Sequence, residues 1–519
     1  MWHKVKEIIN YNTKFCFCHS NWFNRGYGKL VFISLQKSRS MFIQQLYTSC
    51  LSEAAYYIES DGIAAVIDPL RDIDEYLQLA SSRNATIKYI FETHFHADFV
   101  SGHLDLAAAT GAEIVYGPNT ETSFKVIVAK DEEVFNIGKI KIRALHTPGH
   151  TLESTCYLLL DENNKEHCIF TGDTLFVGDV GRPDLAQKAE LITKEDLAGM
   201  LYESLQTKIM PLHDGVILYP AHGAGSSCGK SLGKETFSTI GEQKQTNYAL
   251  NQATKEDFVK AVTEGLAAPP NYFPINAKIN KEGYESLNKV LEDGLKALSI
   301  QDFKTLAAVD EVIILDTRNA TLFTQGFIAN SISIGLEGRF AEWAGSILSF
   351  KKKIILVTEE GKEKESVVRL ARVGFENFGG FLKGGFEVWK NANEKVDLII
   401  DVEADELAMD MPFDENIVIL DVRKETEYAD GHIAEAVNIP LVDLTDLGKM
   451  ADFEDNQNIY IHCAGGYRSV IAASLIKQQG IHNVRNVLGG YAKIKELTEK
   501  FTFEKSAEVL NQFFFNTLL

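Results

Sequence analysis

The second half of the chain contains a sequence repeat. The segment ILDTRNATLFTQGFIANSISI at residues 314–334 matches ILDVRKETEYADGHIAEAVNI at 419–439 with an offset of 105 residues. Under the same offset, GGF at 384–386 aligns with GGY at 489–491. Each copy alternates apolar strands with turns and helices, as a small α/β domain does. The repeat therefore predicts two similar α/β domains, of roughly a hundred residues each, that follow one another.

The first part of the chain is organised differently. Residues 41–290 alternate short apolar strands with turns and helices, and several of the strands end in His, Asp or Gly. Strand ends of this kind carry the chemistry of α/β folds. A Pro-containing segment at 267–280 predicts a linker or the edge of a domain. We therefore predict one domain at 41–290, a second at 291–395 and its repeat at 396–519.

Residues 1–40 differ from the rest of the chain in charge. They contain seven Lys or Arg residues and one acidic residue, whereas the whole chain has 52 basic and 72 acidic residues. A basic, acid-poor start is typical of an organelle presequence. The alternative, which we favour, is a start codon assigned upstream of Met41, where a clear strand pattern begins. We expect a cytoplasmic protein, with organelle targeting by residues 1–40 left open.

The composition argues against several broad functional classes. The net charge of −20 argues against a general nucleic-acid binder, because phosphate contacts need a basic surface. No apolar run reaches the roughly 18 residues of a membrane span, so we expect no membrane insertion. The seven cysteines are too few and too scattered for a disulfide framework. They predict a reducing compartment, in which a functional cysteine acts as a thiolate.

Histidine and aspartate residues follow four different strands of the first domain. Their side chains can converge only if the four strands end at one edge of the fold, and a cluster of imidazoles and carboxylates then needs a cation. The residues are His94, His96 and Asp98 in HFHAD, His150 in TPGHT, Asp173 in FTGD and His222 in YPAHG. This pattern resembles the metallo-β-lactamase fold, an αββα sandwich, and within it the glyoxalase II-like branch.

The choice of metal depends on position 99. Two-metal members of this family read H-x-H-x-D-H, and Phe99 stands here in place of the last His, where a phenyl ring cannot ligate. The remaining set is His94, His150 and Asp173. Two imidazoles and one carboxylate leave open positions and suit non-haem Fe(II) and O2. We expect one Fe(II) per chain, with zinc as the alternative.

Within the fold, the chain is most similar to the persulfide dioxygenases, and this resemblance implies roles for further residues. Side chains beside the metal would orient its ligands and water, and others would line a thiol-peptide pocket. The first group is His96, Asp98, His222 and Tyr219; the second is Arg182, Asp184 and Cys228. Cys228 belongs to a Gly- and Ser-rich loop at 221–234, which is expected to act as a lid. Cys228 itself either relays a sulfane sulfur or is a small loop residue.

The last domain contains a cysteine loop between a strand and a helix. In NIYIHCAGGYRS, Cys463 follows an apolar strand, and the loop Ala464, Gly465, Gly466, Tyr467 leads to Arg468 at a helix start. Backbone N–H groups and a helix N-terminus stabilise a thiolate or an anionic persulfide, and Arg468 adds a positive charge. Tyrosine phosphatases have a wider C-x5-R loop. The C-x4-R spacing resembles rhodanese sulfurtransferases, which implies that Cys463 is the nucleophile.

The middle copy lacks the nucleophile. Under the offset of 105, Thr358 takes the place of Cys463, and Glu359 and Glu360 stand where an anion would bind. A hydroxyl group does not carry sulfane sulfur, and two carboxylates repel thiosulfate. We therefore predict that the domain at 291–395 is an inactive rhodanese-like domain kept for packing, docking or dimer contacts.

Taken together, the resemblance covers residues 41–519 and implies a bifunctional sulfide-oxidation enzyme. Its metal domain would oxidise a low-molecular-weight persulfide, of the glutathione or coenzyme A type, with O2 to sulfite and thiol. Its last domain would transfer sulfur to or from thiosulfate through a Cys463 persulfide. A zinc thioester hydrolase of the glyoxalase II type with rhodanese appendages is the alternative enzyme. A further alternative treats both rhodanese copies as docking modules. A homo-oligomer is also compatible with the sequence.

Overall fold

The computed structural model describes residues 41–187, 191–451, 453–454 and 456–505. The extension predicted at 1–40 lies outside the described residues, as do residues 506–519 of the last predicted domain. None of the helices in the described ranges is both long enough and apolar enough to cross a membrane.

Two six-stranded sheets form the first part of the chain, and in each sheet neighbouring strands follow chain order. The first sheet contains β1 (Phe42–Thr48), β2 (Glu53–Ser60), β3 (Ile63–Ile67), β4 (Thr86–Phe91), β5 (Glu113–Tyr116) and β6 (Ile127–Val128). The second contains β7 (Val134–Ile137), β8 (Ile140–His146), β9 (Thr155–Leu160), β10 (Glu166–Gly172), β11 (Ile217–Pro220) and β12 (Ser238–Thr239). Strands β3 to β6 run parallel, and β10 pairs in parallel with β11.

Aromatic side chains fill the space between these two sheets. Tyr56 and Phe91 of the first sheet face Phe170 and Tyr157 of the second, with both pairs of ring centroids 4.8 Å apart. The helices cover the outer faces, where separate apolar clusters form. They are α1 (Asp74–Arg83), α2 (His103–Thr110), α3 (Lys194–Ser204), α4 (Ile240–Thr246) and α5 (Lys255–Thr263). A sheet covered on both faces buries its strands fully, and the predicted αββα sandwich is confirmed.

The segment predicted as a linker or the edge of a domain contains the start of a helix. Helix α6 (Phe273–Glu282) starts in the middle of residues 267–280, and α7 (Leu287–Gly294) follows it. Pro274 lies in the first turn of α6, where a missing N–H group breaks no helical hydrogen bond. Phe273 is buried, so the segment packs into the core. The predicted limit between residues 290 and 291 falls inside α7, which packs against the middle copy through Gly294.

The two repeats fold into five-stranded parallel sheets with the same strand order, β13-β18-β17-β14-β16 and β20-β25-β24-β21-β23. The strands of the middle copy are β13 (Ala297–Leu298), β14 (Val312–Asp316), β15 (Phe327–Ile328), β16 (Ile332–Ser333), β17 (Lys353–Val357), β18 (Phe378–Leu382) and β19 (Val396–Asp397). Those of the last copy are β20 (Ile400–Val402), β21 (Ile417–Asp421), β22 (His432–Ile433), β23 (Val437–Asn438), β24 (Asn458–His462), β25 (Val484–Val487) and β26 (Phe503–Glu504). The two predicted rhodanese-like folds are confirmed.

Helices cover both repeat sheets. The middle copy has α8 (Ile300–Ala307), α9 (Ala320–Gln325), α10 (Phe340–Ile347), α11 (Glu363–Ala371) and α12 (Gly385–Asn391), and the last copy has α13 (Ala404–Asp410), α14 (Glu425–Asp430), α15 (Tyr467–Gln478) and α16 (Gly490–Ile494). Strand β19 pairs with β15, so residues 396–397 belong with the middle copy rather than with the last.

A buried arginine joins the sandwich to the middle copy. The side chain of Arg71 is fully buried and donates hydrogen bonds to Ala371 O, Glu285 O and the carboxylate of Glu376. Its guanidinium also lies 4.7 Å from the ring centroid of Tyr284. A buried cation with these partners is costly to remove, because the groups left behind lose their counter-charge. The interface therefore depends on Arg71.

Replacing Arg71 by Met should lower the free energy of unfolding by about 3 kcal/mol, because Glu376 and two backbone carbonyl groups lose a buried cationic partner. Lys364→Ala removes an exposed contact with Asp74 between the same two domains, and should change that free energy by less than about 0.5 kcal/mol. Urea unfolding of the full chain, followed by circular dichroism, measures both. Equal effects of the two variants would contradict this role for Arg71.

Candidate metal centre and cysteine loop

The four strand ends of the first domain meet at one edge of the sandwich. His94 follows β4, His150 follows β8, and Asp173 comes directly after β10. The Nε2 atom of His150 lies 3.3 Å from Asp173 Oδ2, and the Nε2 atom of His94 lies 3.8 Å from the same oxygen. One ligand atom from each residue lies within 4.8 Å of the other two. The structure therefore brings together the three residues that the sequence predicted as metal ligands.

Backbone carbonyl groups fix the protonation of two histidines at this edge. His150 Nδ1 lies 2.9 Å from Arg182 O, and His222 Nδ1 lies 3.1 Å from Ser52 O. A carbonyl oxygen only accepts, so each Nδ1 carries the proton and donates it. Each Nε2 then carries a lone pair, and both lone pairs face Asp173, since His222 Nε2 lies 3.5 Å from Asp173 Oδ1.

A threonine fixes the third histidine in the same way. The Thr93 hydroxyl donates to Asp68 Oδ2 at 2.8 Å, so its oxygen accepts from His94 Nδ1 at 3.0 Å. Burial lowers the pKa of His94 well below its usual value, and the neighbouring His96 and His150 lower it further. His94 is therefore a neutral imidazole whose Nε2 lone pair is available to a metal ion.

The surroundings of the Asp173 carboxylate indicate that the cluster fits a cation. Both of its oxygens are buried, and neither accepts a hydrogen bond from the residues that the structure describes. They face three nitrogen lone pairs, so the arrangement is repulsive until a cation lies between them. A divalent cation satisfies all these atoms at once, and two imidazoles with a carboxylate accept both iron and zinc. The residues present therefore fit a metal ion.

A second set of three potential ligands lies beside the first. Ligand atoms of Asp98, His222 and Cys228 also lie within 4.8 Å of one another. Burial, together with the charges of Asp98 and Asp173, raises the pKa of the Cys228 thiol well above its usual value. Phe99 is fully buried, and its ring lies 4.3 Å from that of His96. The sequence interpretation disfavoured a second metal because of Phe99, whereas the structure groups the Cys228 thiol with Asp98 and His222.

His96 points away from the first three ligands. Its Nε2 atom lies 3.1 Å from Asp68 Oδ1 and 3.5 Å from Glu92 Oε2. Burial disfavours its charged form, but the carboxylates of Asp68, Glu92 and Asp98 outweigh burial and raise the pKa of His96 to about 10. These residues form a third buried group in which His96 is a charged partner of carboxylates. Sequence reasoning did not single out Glu92, although it stands two positions before His94 in FETH.

An asparagine from α6 holds the HFHAD loop in place. Asn280 Nδ2 donates to His96 O and Phe99 O, both at 2.8 Å, and Asn280 Oδ1 accepts from Ser101 N at 2.9 Å. The asparagine is fully buried, and all three bonds satisfy backbone groups of this loop. Its position in the segment predicted as a linker gave no signal in the sequence.

Arg182 clamps the Gly- and Ser-rich loop. Its guanidinium is buried and makes a bidentate pair with Asp184 at 2.6 and 2.7 Å. It also donates to Ser227 O at 3.2 Å, while the backbone N–H of Arg182 donates to Cys228 O at 2.9 Å. Asp184 thus occupies the guanidinium fork of Arg182, and both residues were predicted to line the thiol-peptide pocket. In the structure, Arg182 holds Cys228 against the metal centre.

Tyr219 packs among aromatic side chains. Its ring stacks on Phe170, with centroids 5.5 Å apart, and contacts Tyr56 and Phe237. Burial raises the pKa of Tyr219 to about 12. The ring joins the aromatic core between the sheets, and its described ring contacts include none of the metal-centre histidines. Packing against three aromatic neighbours accounts for this orientation.

The cysteine loop of the last domain wraps around Cys463. The backbone N–H of Gly466 donates to the Cys463 Sγ atom at 3.1 Å, and Ser469 Oγ lies 3.7 Å from the same sulfur. Gly466 has φ of 100° and precedes α15, so a left-handed residue turns the loop inward. A Cβ atom on Gly490 would lie 2.3 Å from Cys463 O. Gly490 must therefore be glycine for the loop to pack under α16.

Arg468 is paired with a residue that the sequence analysis missed. Its guanidinium makes a bidentate contact with Glu427 at 2.7 and 2.9 Å. Burial raises the pKa of Glu427, but Arg468 outweighs this effect, so that pKa is lowered. Within the cysteine loop, Ala464 and Gly465 are exposed, and Tyr467 and Arg468 are partly buried. An anion at the loop mouth would compete with Glu427 for Arg468.

The middle copy has the equivalent loop without a sulfur. Thr358 is buried at the position of Cys463, and a Cβ atom on Gly385 would lie 2.8 Å from Thr358 O. The backbone N–H of Asn319 donates to the Glu359 carboxylate at 3.2 Å. The loop geometry is therefore kept, while the acidic side chain of Glu359 occupies its mouth.

Comparison with known protein families matches both halves of the chain. Residues 49–222 match the metallo-beta-lactamase superfamily, and residues 299–392 and 403–497 each match the rhodanese-like domain. These three matches coincide with the sandwich and the two repeat sheets.

Individual proteins agree with these matches. A probable hydroxyacylglutathione hydrolase of Schizosaccharomyces pombe is 30% identical over 202 residues, which is 38% of this chain and 73% of that protein. A hydroxyacylglutathione hydrolase of Francisella tularensis subsp. novicida is 30% identical over 203 residues, which is again 38% of this chain and 73% of that protein. The crystal structure of a metallo-beta-lactamase from Staphylococcus aureus has a TM-score of 0.60 and 31% identity, and covers 66% of this chain and 99% of that one. The chain therefore belongs to the metallo-β-lactamase superfamily and carries two rhodanese-like domains after its metallo-β-lactamase domain.

Proposed function

We propose that the chain is a bifunctional enzyme of sulfide oxidation, a persulfide dioxygenase joined to a thiosulfate sulfurtransferase. The observation that carries the proposal is the set of His94, His150 and Asp173, whose donor atoms face one another without a shared proton. Two imidazoles and one carboxylate are the ligand set of non-haem Fe(II) oxygenases. The cysteine loop at Cys463 supports the second activity.

The first reaction converts RSSH, O2 and H2O into RSH, sulfite and two protons. A bound Fe(II) ion would supply the activation of O2 and of the persulfide sulfur. The protein would supply three fixed donors, because Thr93 and the carbonyl group of Arg182 keep the Nδ1 protons of His94 and His150 away from the metal. Cys228, whose thiol pKa is raised by burial and by the nearby carboxylates, would lie beside the substrate.

The second reaction takes place at Cys463. The Cys463 thiolate attacks the terminal sulfur of a persulfide donor, an S–S bond forms to Cys463, and the thiol RSH leaves after protonation. Sulfite then attacks the outer sulfur of the Cys463 persulfide, forms the S–S bond of thiosulfate and releases the Cys463 thiolate. The N–H group of Gly466 would stabilise the anionic sulfur, and Arg468 would attract the sulfite.

Hydrolysis of a glutathione thioester is the alternative activity of the first domain. Two sequence relatives are hydroxyacylglutathione hydrolases, and Asp98, His222 and Cys228 offer ligands for a second ion. Two zinc ions per chain, thioester hydrolysis and no O2 uptake with any persulfide would favour this alternative over the dioxygenase.

Replacing His94 by Ala should reduce the rate of O2 uptake by more than about a hundredfold, because the metal loses a ligand. Mutation of residues that only support a ligand already lowers activity by up to about a hundredfold. His213→Ala, at an exposed histidine, is the matched control and should leave the rate unchanged. Anaerobically prepared protein is supplied with Fe(II) and glutathione persulfide, and O2 and sulfite are followed together. O2 uptake by the His94 variant at the wild-type rate would refute the assignment.

Replacing Cys463 by Ser should abolish the transfer of sulfur from thiosulfate to cyanide, because a hydroxyl group cannot hold the sulfane sulfur. Thr358→Ala changes the equivalent position of the middle copy and should leave this activity at the wild-type level. Thiocyanate formation measures both variants. Residual transfer by the Cys463 variant, or a loss in the Thr358 variant, would show that the active cysteine loop was assigned incorrectly.

A further inference from the structure

Helix α15, which begins in the cysteine loop of the last copy, packs against strand β16 of the inactive middle copy. Strand β16 is the outermost strand of its sheet, and its outer side has no strand partner within the described residues. An outermost strand presents backbone N–H and C=O groups that need other partners. Side chains of α15 supply them. The helix that follows the nucleophile of one copy is therefore attached to the backbone of the other copy.

The first half of α15 makes two hydrogen bonds to this edge. The Tyr467 hydroxyl, at the first residue of the helix, donates to Gly335 O at 2.7 Å. Two turns further along, Ser474 Oγ accepts from the N–H group of Ser333 at 3.0 Å. Both serines are buried, so water does not replace this bond. Tyr467 and Ser474 are seven residues apart and therefore lie on the same face of the helix.

The last turn of α15 is attached to the middle copy as well. Gln478 Nε2 donates to Asn330 O at 3.1 Å. The buried Lys477 ammonium lies 3.0 Å from Asp397 Oδ1, and Asp397 belongs to β19, which pairs with a strand of the middle copy. From the first contact to the last, residue numbers rise along the helix and fall along the edge, so the two run antiparallel. Both ends of α15 are therefore fixed to the middle copy.

The edge that holds α15 is itself attached to other parts of the fold. Arg369 of α11 donates to Leu336 O, one residue after the carbonyl group that accepts from the tyrosine. Arg372, directly after α11, makes a bidentate pair with Asp72 of the metal domain, with both N–O distances 2.7 Å. Such charged, two-point contacts fix direction as well as distance. The edge is therefore a fixed support for the helix.

The first contact of α15 adjoins the group that faces the nucleophile. Gly466, whose N–H group donates to Cys463 Sγ at 3.1 Å, directly precedes Tyr467. Gly465 and Gly466 have no side chains that could fix the direction of this N–H group, and glycine backbone rotates more freely than that of other residues. Their direction depends on the fixed points at either end, which are the strand before Cys463 and Tyr467 after the glycines.

We propose that the inactive middle copy positions the nucleophile of the last copy, and that Tyr467 is the positioning residue. The proposal rests on the proposed function, because that function assigns sulfur transfer to Cys463. The bond from the Tyr467 hydroxyl to Gly335 O fixes the start of α15 and keeps the N–H group of Gly466 directed at the sulfur. An N–H group in this position stabilises the anionic sulfur of a thiolate or a persulfide. The middle copy thus serves sulfur transfer through its edge strand and not through Thr358.

Removing the tyrosine hydroxyl tests this role in the full-length protein. Tyr467→Phe should lower kcat for sulfur transfer from thiosulfate to cyanide at least about fivefold and change KM for thiosulfate by less than about twofold, because one hydrogen bond is lost while Arg468 remains. Tyr428→Phe is the matched control, since its hydroxyl donates to Ala436 O at 2.7 Å within the last copy. It should keep the wild-type kcat. A wild-type kcat in the Tyr467 variant, or an equal loss in the control, would overturn the proposal.

A second variant separates the support of the whole helix from a local effect of the tyrosine. Ser474 lies two turns away from the loop, so its loss affects Cys463 only through the position of α15. Ser474→Ala removes the acceptor for the N–H group of Ser333 and should lower kcat at least about twofold. A wild-type kcat in this variant would contradict a positioning role of the edge strand.

Hydrogen exchange keeps this proposal separate from the proposed function, because it requires no sulfur transfer. In Tyr467→Phe the amide of Gly466 should exchange at least about fivefold faster, while the amides of β21, in the interior of the same sheet, should keep their wild-type rates. An unchanged Gly466 amide, or equal acceleration in β21, would overturn the proposal even if sulfur transfer were observed. Faster exchange at Gly466 in a protein without sulfur transfer would refute only the proposed sulfurtransferase.

Discussion

The buried carboxylate of Asp173 is the constraint on which the metal domain depends. It sits among three imidazole lone pairs, and no described residue donates a hydrogen bond to it. The protons that could relieve this repulsion are held elsewhere, by Ser52 O, by Arg182 O and by the Thr93 hydroxyl. These groups belong to separate segments, so the whole sandwich must fold before the cluster exists. Metal binding should therefore be coupled to the closure of this edge, because the ion stabilises only the folded arrangement.

The two rhodanese-like copies share the same buried contacts around their first turn. Arg318 and Arg423 each contact the Asp two positions earlier and donate to the carbonyl group of a glycine, Gly326 or Gly431, at 2.9 and 2.8 Å. Each guanidinium also covers an aromatic ring, Phe386 or Tyr491. These buried interactions close the first turn of each sheet whether or not a nucleophile follows. The sequence repeat was visible for this reason, although the catalytic position differs.

Local motifs allowed the sequence to predict His94, His150, Asp173 and the Cys463 loop, because each lies at a strand end and the fold family puts those ends together. The same reasoning missed groups whose partners are distant in the chain. Asn280 supports a loop 181 residues away, at Phe99, and Glu427 pairs with Arg468 across 41 residues. The ring of Tyr219 packs into a neighbouring aromatic cluster, which the resemblance did not indicate. The segment at 267–280 was predicted as a linker or the edge of a domain, and the helix in it was missed because prolines in a first helical turn look the same in sequence as prolines in a loop.

A shared apolar core joins the metal domain to both rhodanese-like copies. One continuous cluster of buried side chains includes Phe99 and Cys228 of the metal domain, Phe340 and Trp343 of the middle copy, and Cys463 of the last. Domains joined only by polar surfaces move relative to one another, whereas a shared apolar core resists such motion. The metal centre and the cysteine loop therefore keep fixed positions within one packed assembly.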